Sequence, residues 1–217
     1  MEFIRTIIGF IFHIDKYIPG IIQNCGTWSY AVLFLIIFIE TGLVVMPFLP
    51  GDSLLFAVGT FAAQGWFNIF WLFVTLSLAA IIGDSVNYAV GKYFGEKLFR
   101  NEKSRIFKRE YLERTHKFYE KHGGKTIVIA RFVPIIRTFA PFVAGIGKMS
   151  YFHFILYNIS GGLLWVAIFV FGGFYFGNIP LIKNNFTLAI FVIIFLSILP
   201  GIFEFIKEYK HNTCFKK

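Results

Sequence analysis

"ARFVPIIRTFAPFVAG", Ala130 to Gly145, is the stretch on which the fold turns. Two arginines, Arg131 and Arg137, stand in an otherwise apolar run that is broken by Pro134 and Pro141. A soluble core excludes unpaired charge, and a plain membrane span excludes both the charges and the prolines. Irregular backbone at membrane depth is tolerated where it is buried in protein or lines a wet cavity. The stretch therefore predicts a broken, re-entrant hairpin and not a crossing.

Composition agrees with a bilayer as solvent. The chain has 217 residues, of which 57% are hydrophobic and 20% aromatic, including 30 Phe. Its mean hydropathy is +0.68. That is far more apolar surface than a soluble domain of this size needs. The length suits one membrane domain of several spans, each of about 20 apolar residues. Cys25 and Cys214 lie near opposite ends and suggest neither a metal site nor a disulfide framework. No cofactor is expected. The net charge of +9 reads first as a cytoplasmic excess of Lys and Arg, not as a nucleic-acid footprint. Residues 1–26 carry Glu2, Arg5, Asp15 and Lys16 around a short apolar run, with no small-residue cleavage pattern. They read as a retained helix that either spans the membrane or lies in its interface.

The chain divides into two apolar halves around residues 96–125, a segment with ten Lys or Arg against five Glu. Its charge places it in the cytoplasm, and Leu112, Phe118 and Tyr119 suit an amphipathic helix on the membrane surface as well as a solvated linker. The tail, 207–217, is also basic and cytoplasmic by the same rule. Between these markers, Tyr151–Gly177 and a C-terminal span at 186–206 go out and back, so residues 126–147 enter and return without crossing. The first half repeats this grammar. A hairpin at about 30–63, broken by Pro47, Pro50 and Gly51, precedes a span at about Trp71 to Phe94. Short matches support a repeat: "PFLPG" (47–51) with "PFVAG" (141–145), and "GKYFG" (91–95) with "GFYFG" (173–177). The expected fold is thus an all-α polytopic membrane protein, one domain over 1–217. It is an inverted repeat (27–95 and 126–177), each half a re-entrant hairpin plus a transmembrane helix, with additional terminal helices.

Hairpin one carries Glu40 and Asp52, and hairpin two carries Arg131 and Arg137. At roughly 2.5–3.5 kcal/mol each on insertion scales, four such groups in lipid would cost about as much as a domain's net stability. They are expected to face one another, water or a ligand near the midplane. Ion pairs that merely pin the hairpins are the bland reading. Two arginines six apart around a break suit a fork for an anion, because Arg binds phosphate bidentately and stays charged when dry. A carboxylate that can take up a proton is the complementary part of a proton-coupled site. Second-tier candidates are Asp84, Asn87 and Tyr88, which share one helical face with Gly91, and Ser53 and Thr138, which neighbour the charges and are better read as helix caps. Pro47, Pro50, Gly51, Pro134, Pro141 and Gly145 read as hairpin breakers. His116, His122, His153 and His211 read as surface residues, and no metal site is expected.

"ETGLVVMPFLPGDSLLFAVG", "GDSVNYAVGKYFGEKLF", "FYEKHGGKTIVIARFVPIIRTFAPFVAGIGKMS" and "SILPGIFE" together resemble the DedA family of bacterial inner-membrane proteins over nearly the whole chain. The resemblance implies translocation of polyprenyl phosphate or phospholipid driven by the proton motive force. It places the family's functional acids on Glu40 and Asp52 and its arginines on Arg131 and Arg137. The resulting expectation is a flippase for undecaprenyl phosphate in the bacterial inner membrane, with protons as coupling ion, no nucleic-acid partner, and room for homo-oligomerisation. Translocation of another phospholipid, such as phosphatidylethanolamine, is the runner-up. A membrane lipid phosphatase is the rival of another class. It lacks a histidine in either hairpin and any K-x6-R-P or S-G-H pattern, so no enzyme activity is expected.

Overall fold

The computed structural model describes residues 26–43, 51–98, 124–147, 149–177 and 179. The expected N-terminal helix (1–26), most of the basic segment (96–125), the C-terminal span (186–206), the basic tail and the breakers Pro47 and Pro50 lie outside them. Among the described residues every regular element is helical. A 3-10 turn, Gly26–Trp28, leads into α1 (Ser29–Gly42), followed by α2 (Gly51–Ala63), α3 (Ile69–Leu98), α4 (Lys125–Ala130), α5 (Pro134–Ile146) and α6 (Tyr151–Phe176).

Two of these helices are long and apolar enough to cross a membrane, over Ile69–Phe94 and Tyr151–Phe176, 26 residues each. At 1.5 Å per residue they reach about 39 Å, more than the roughly 30 Å of hydrocarbon. They run antiparallel. Tyr88 meets Tyr151 and Phe154, Ile81 lies by Gly162, and Phe73 contacts Phe171. This brings aromatic rings together at both ends. Trp28, Phe70, Trp71, Tyr175 and Phe176 are exposed at one, and Tyr93, Phe94, Tyr151 and Phe152 at the other. Such belts sit at membrane–water interfaces. Between them Leu78, Ile82, Val86 and Val90, spaced by four, form an exposed apolar stripe on α3 of the kind that faces lipid.

The shorter helices are each too short to cross: α1 has 14 residues, and α2 and α5 have 13. α1 packs along α3 of its own half, but α2 and α5 are exchanged between the halves. α5, from the second half, packs along α3, while α2, from the first, packs along α6. α2 is buried from Gly51 to Ala62. Both seams are glycine-lined. A Cβ on Gly91 would strike the carbonyl of Phe142, and one on Gly145 the carbonyl of Tyr88. In the other seam, a Cβ on Gly173 would strike the carbonyl of Phe56, and one on Gly59 the carbonyl of Val170. The two seams therefore share one pattern, with "FAVG" (56–59) and "FVAG" (142–145) in equivalent places. The packing counterpart of Gly145 is Gly59, not the Gly51 suggested by the "PFLPG" match.

Hairpin two breaks at residues 131–133. Val133 is extended (φ −115°, ψ 108°), as a residue before proline prefers, and Pro134 opens α5 at a position where its missing N–H is no loss. Pro141 and Gly145, expected to break the hairpin, do not: α5 continues through both. Packing against α3 holds the turn around Pro141, and Gly145 serves close approach. Gly51 begins α2.

Adjacent glycines on α6 offer a clean test. A Cβ on Gly172 meets nothing within 4 Å, whereas one on Gly173 meets Phe56 backbone. Gly173→Ala is expected to destabilise by about 1–3 kcal/mol, the usual range for overpacking, and Gly172→Ala not at all. Thermal unfolding of the two purified variants in detergent checks this.

Candidate functional site

Among the described residues, five charged side chains are buried near the middle of the two long helices: Glu40, Asp52, Asp84, Arg131 and Arg137. They form two centres. In the first, Arg137 of α5 donates from Nη1 to Asp52 Oδ1 at 2.7 Å and from Nη2 to Glu40 Oε1 at 2.5 Å. In the second, Arg131 pairs through Nη2 with Asp84 and with the side-chain oxygen of Asn158. Of the two arginines expected to gather with Glu40 and Asp52, Arg137 bonds both, whereas Arg131 bonds Asp84 and Asn158. Arg131, at the break itself, points to α3 and α6, while Arg137, one turn into α5, reaches α1 and α2.

Local structure explains each placement. Glu40 lies in the last turn of α1, and its Oε1 also accepts the Gly51 N–H at 3.1 Å, so it caps the start of α2. A carboxylate is favoured there by the helix dipole. A Cβ on Gly51 would overlap that carboxylate, which makes Gly51 a spatial requirement. Asp52, in the first turn of α2, accepts a second hydrogen bond from Trp165 Nε1 at 2.8 Å, also on Oδ1. The Trp165 ring lies under Arg137, with the guanidinium carbon 4.9 Å from the ring centroid. This cation–π contact partly offsets the loss of hydration. On the other side, Gly161 and Gly162 of α6 leave room for the Arg131 stem.

The helical face expected on α3 is present. Asp84, Asn87, Tyr88 and Gly91 are all buried, but they do different things. Asp84 is the partner of Arg131. Asn87 donates to the Thr41 carbonyl (3.2 Å) and the Thr138 carbonyl (2.7 Å), tying the residues beside Glu40 and Arg137 to one helix. Tyr88 points away from the charges; its hydroxyl donates to the Met149 carbonyl and its ring stacks on Phe154. Ser53 and Thr138 are buried. His153 is exposed, as expected, and the other three expected surface histidines lie outside the described residues.

Trp165 and Asn158 were not singled out by the sequence reading. Both carried a signal. Tryptophan in a span is usual at the interface, and Trp165 sits mid-helix; Asn158 is a polar residue inside an apolar run. Asn158 also donates to the Ile81 carbonyl at 3.0 Å, so it locks α6 to α3 while holding Arg131.

Several buried polar atoms have no hydrogen-bond partner among the described residues: Glu40 Oε2, Asp84 Oδ1, Asn87 Oδ1, Arg131 Nε and Nη1, and Arg137 Nε. Such groups are costly unless water or a ligand meets them. Among the described residues, three buried carboxyl groups face two guanidiniums, an excess of one acid. Among the described residues no cluster of His, Cys, Asp and Glu could hold a metal ion.

Breaking one side of a buried pair leaves the other charge stranded, at about 3–5 kcal/mol. Arg131→Leu and Asp84→Leu are each expected to destabilise on that scale. The double variant should lose clearly less than the sum, as a double-mutant cycle of unfolding in detergent would measure.

The chain matches the VTT domain over residues 49–175. It is 56% identical over 210 residues to protein DedA of Escherichia coli strain K12, covering 96% of each chain. It is 42% identical over 191 residues to an uncharacterized membrane protein of Mycobacterium leprae, covering 87% of this chain and 86% of that one. The E. coli inner membrane protein YqjA is 37% identical over 152 residues, 70% of this chain and 69% of that protein. No solved structure matches. The chain is a membrane protein and belongs to the VTT-domain family, the family of DedA.

Proposed function

We propose that the chain is a transporter that moves a lipid phosphate, undecaprenyl phosphate in our reading, between the leaflets of a bacterial inner membrane, coupled to protons. The observation that carries the proposal is Arg137, buried mid-depth and joined to two carboxylates from the other half of the chain. An arginine suits a phosphate head, since its planar fork matches the phosphate oxygens and remains charged out of water. The excess carboxylate in the same centre supplies a place for the coupling proton. The unpartnered donors on Arg131 and Arg137 supply further contacts for an anionic head.

The architecture is read as an inverted repeat of re-entrant hairpin plus transmembrane helix. Supporting this, both ends of hairpin one gather at one end of α3, where Tyr30 contacts Phe67 and its hydroxyl accepts the Asn68 N–H at 2.9 Å. Both ends of hairpin two gather at the opposite end of the helix pair, where Gly124 abuts Tyr157 and Tyr88 meets Met149. Hairpins entering from opposite faces and meeting at an ion centre suit alternating access, in which one half rocks against the other around a fixed site. The glycine seams, with backbone against backbone, are surfaces on which such motion meets few interlocking side chains.

Reconstituted liposomes with an imposed pH gradient test the proposal, using a panel of polyprenyl phosphates and phospholipids. Transport of a lipid phosphate is expected, and Glu40→Gln and Asp52→Asn should reduce gradient-driven transport at least tenfold, about the effect of losing one charge-assisted interaction. Equal rates with empty liposomes across the panel would refute the reading. Release of inorganic phosphate from the lipid would favour a phosphatase instead.

A further inference from the structure

Two hydrogen-bond donors from different helices converge on one oxygen: Arg137 Nη1 of α5 and Trp165 Nε1 of α6 both donate to Asp52 Oδ1, at 2.7 and 2.8 Å. The same indole also lies under the guanidinium. A charged donor and a neutral donor aimed at a single anionic oxygen form a seat for an oxyanion, fixed in place by a buried ring. Asp52 fills it.

Each of the two carboxylates in this centre accepts two hydrogen bonds on one oxygen, and Asp52 is the more exposed of them. Its side chain is 8% exposed, against 1% for Glu40 and 3% for Arg137. Glu40 Oε1 holds Arg137 and also caps the start of α2 at Gly51, so releasing it would uncap that helix. An anion entering the centre therefore exchanges with Asp52, not with Glu40.

We infer that Arg137 and Trp165 together form the oxyanion seat for the substrate's phosphate, and that Asp52 occupies this seat as an internal competitor until the phosphate displaces it. This rests on the lipid-phosphate reading above and deepens it. It gives Trp165 a binding role and makes the Asp52 carboxylate a stand-in for one phosphate oxygen. Glu40 stays on Nη2 and keeps the guanidinium oriented during the exchange.

The test is binding of dodecyl phosphate to the purified full chain in detergent by calorimetry, with dodecanol as control and inorganic phosphate as a second probe. Asp52→Ala and the shape-preserving Asp52→Asn should both bind dodecyl phosphate more tightly than the unaltered chain, by about tenfold or more for alanine. Trp165→Phe keeps a ring under Arg137 but removes the N–H, and should weaken binding roughly tenfold, as loss of a hydrogen bond to a charged group does. Adding Trp165→Phe to Asp52→Ala should cancel much of the gain. Inorganic phosphate following the same order of affinities would show the seat reads phosphate itself; dodecyl phosphate alone doing so would show that the chain is also required. Both outcomes support the seat. If the unaltered chain binds dodecyl phosphate but Asp52 and Trp165 variants of normal thermal stability bind equally well, the seat is wrong and the lipid-phosphate reading stands. If the unaltered chain does not prefer dodecyl phosphate to dodecanol, that reading fails and the seat with it.

Discussion

A guanidinium cannot sit alone in the middle of a membrane, and Arg137 is arranged accordingly. Its two terminal nitrogens hold carboxylates from two helices of the other half, and an aromatic ring from a third lies beneath it. Four elements are thereby fixed by one side chain: α1 through Glu40, α2 through Asp52, α5 through the arginine and α6 through Trp165. The rest follows from making that meeting possible. Short helices bring the charges to mid-depth, and glycine seams let those helices lie against the long ones. Asn87 holds the backbone beside both Glu40 and Arg137. Buried ion pairs are poor net stabilisers against apolar packing of equal volume. Under the proposed function, such a centre serves an anion that enters it.

The sequence made much of this legible. Charges in an apolar run containing prolines signalled a broken helical segment with charge inside, and the spacing of Asp84, Asn87, Tyr88 and Gly91 gave a buried face on α3. Helical spacing reveals which residues share a face but not which residues on other helices they meet. The division into an Arg137 centre and an Arg131 centre was therefore hidden, although it depends only on which side of Pro134 each arginine falls. Trp165 was hidden for another reason: an aromatic residue in a Phe-rich span looks like lipid contact. Pro141 and Gly145 misled because turn-forming residues also serve inside helices, where tertiary packing supports a proline and close approach demands a glycine. For the same reason "PFLPG" drew attention away from "FAVG", which carries the seam.

The two arginines also call for different experiments. Lysine in place of arginine distinguishes a fork from a point charge only where the arginine faces one partner. Arg137 spans two carboxylates and an indole, so a lysine there disturbs the ion centre and any phosphate contact together. Removal of the competing carboxylate, or of the indole N–H alone, separates binding from architecture. Arg131 is engaged through Nη2, with Nε and Nη1 unpartnered among the described residues. Among the described residues it is the less committed of the two.

We propose that two hairpins enter from opposite faces and meet at Arg137. Single cysteines at Gln64, at the far end of hairpin one, and at Ser150, just after hairpin two, test it in a chain lacking Cys25 and Cys214. A membrane-impermeant maleimide should reach Gln64→Cys only from one side of sealed vesicles and Ser150→Cys only from the other. Labelling of both from the same side would contradict the opposed insertion on which the ion centre depends.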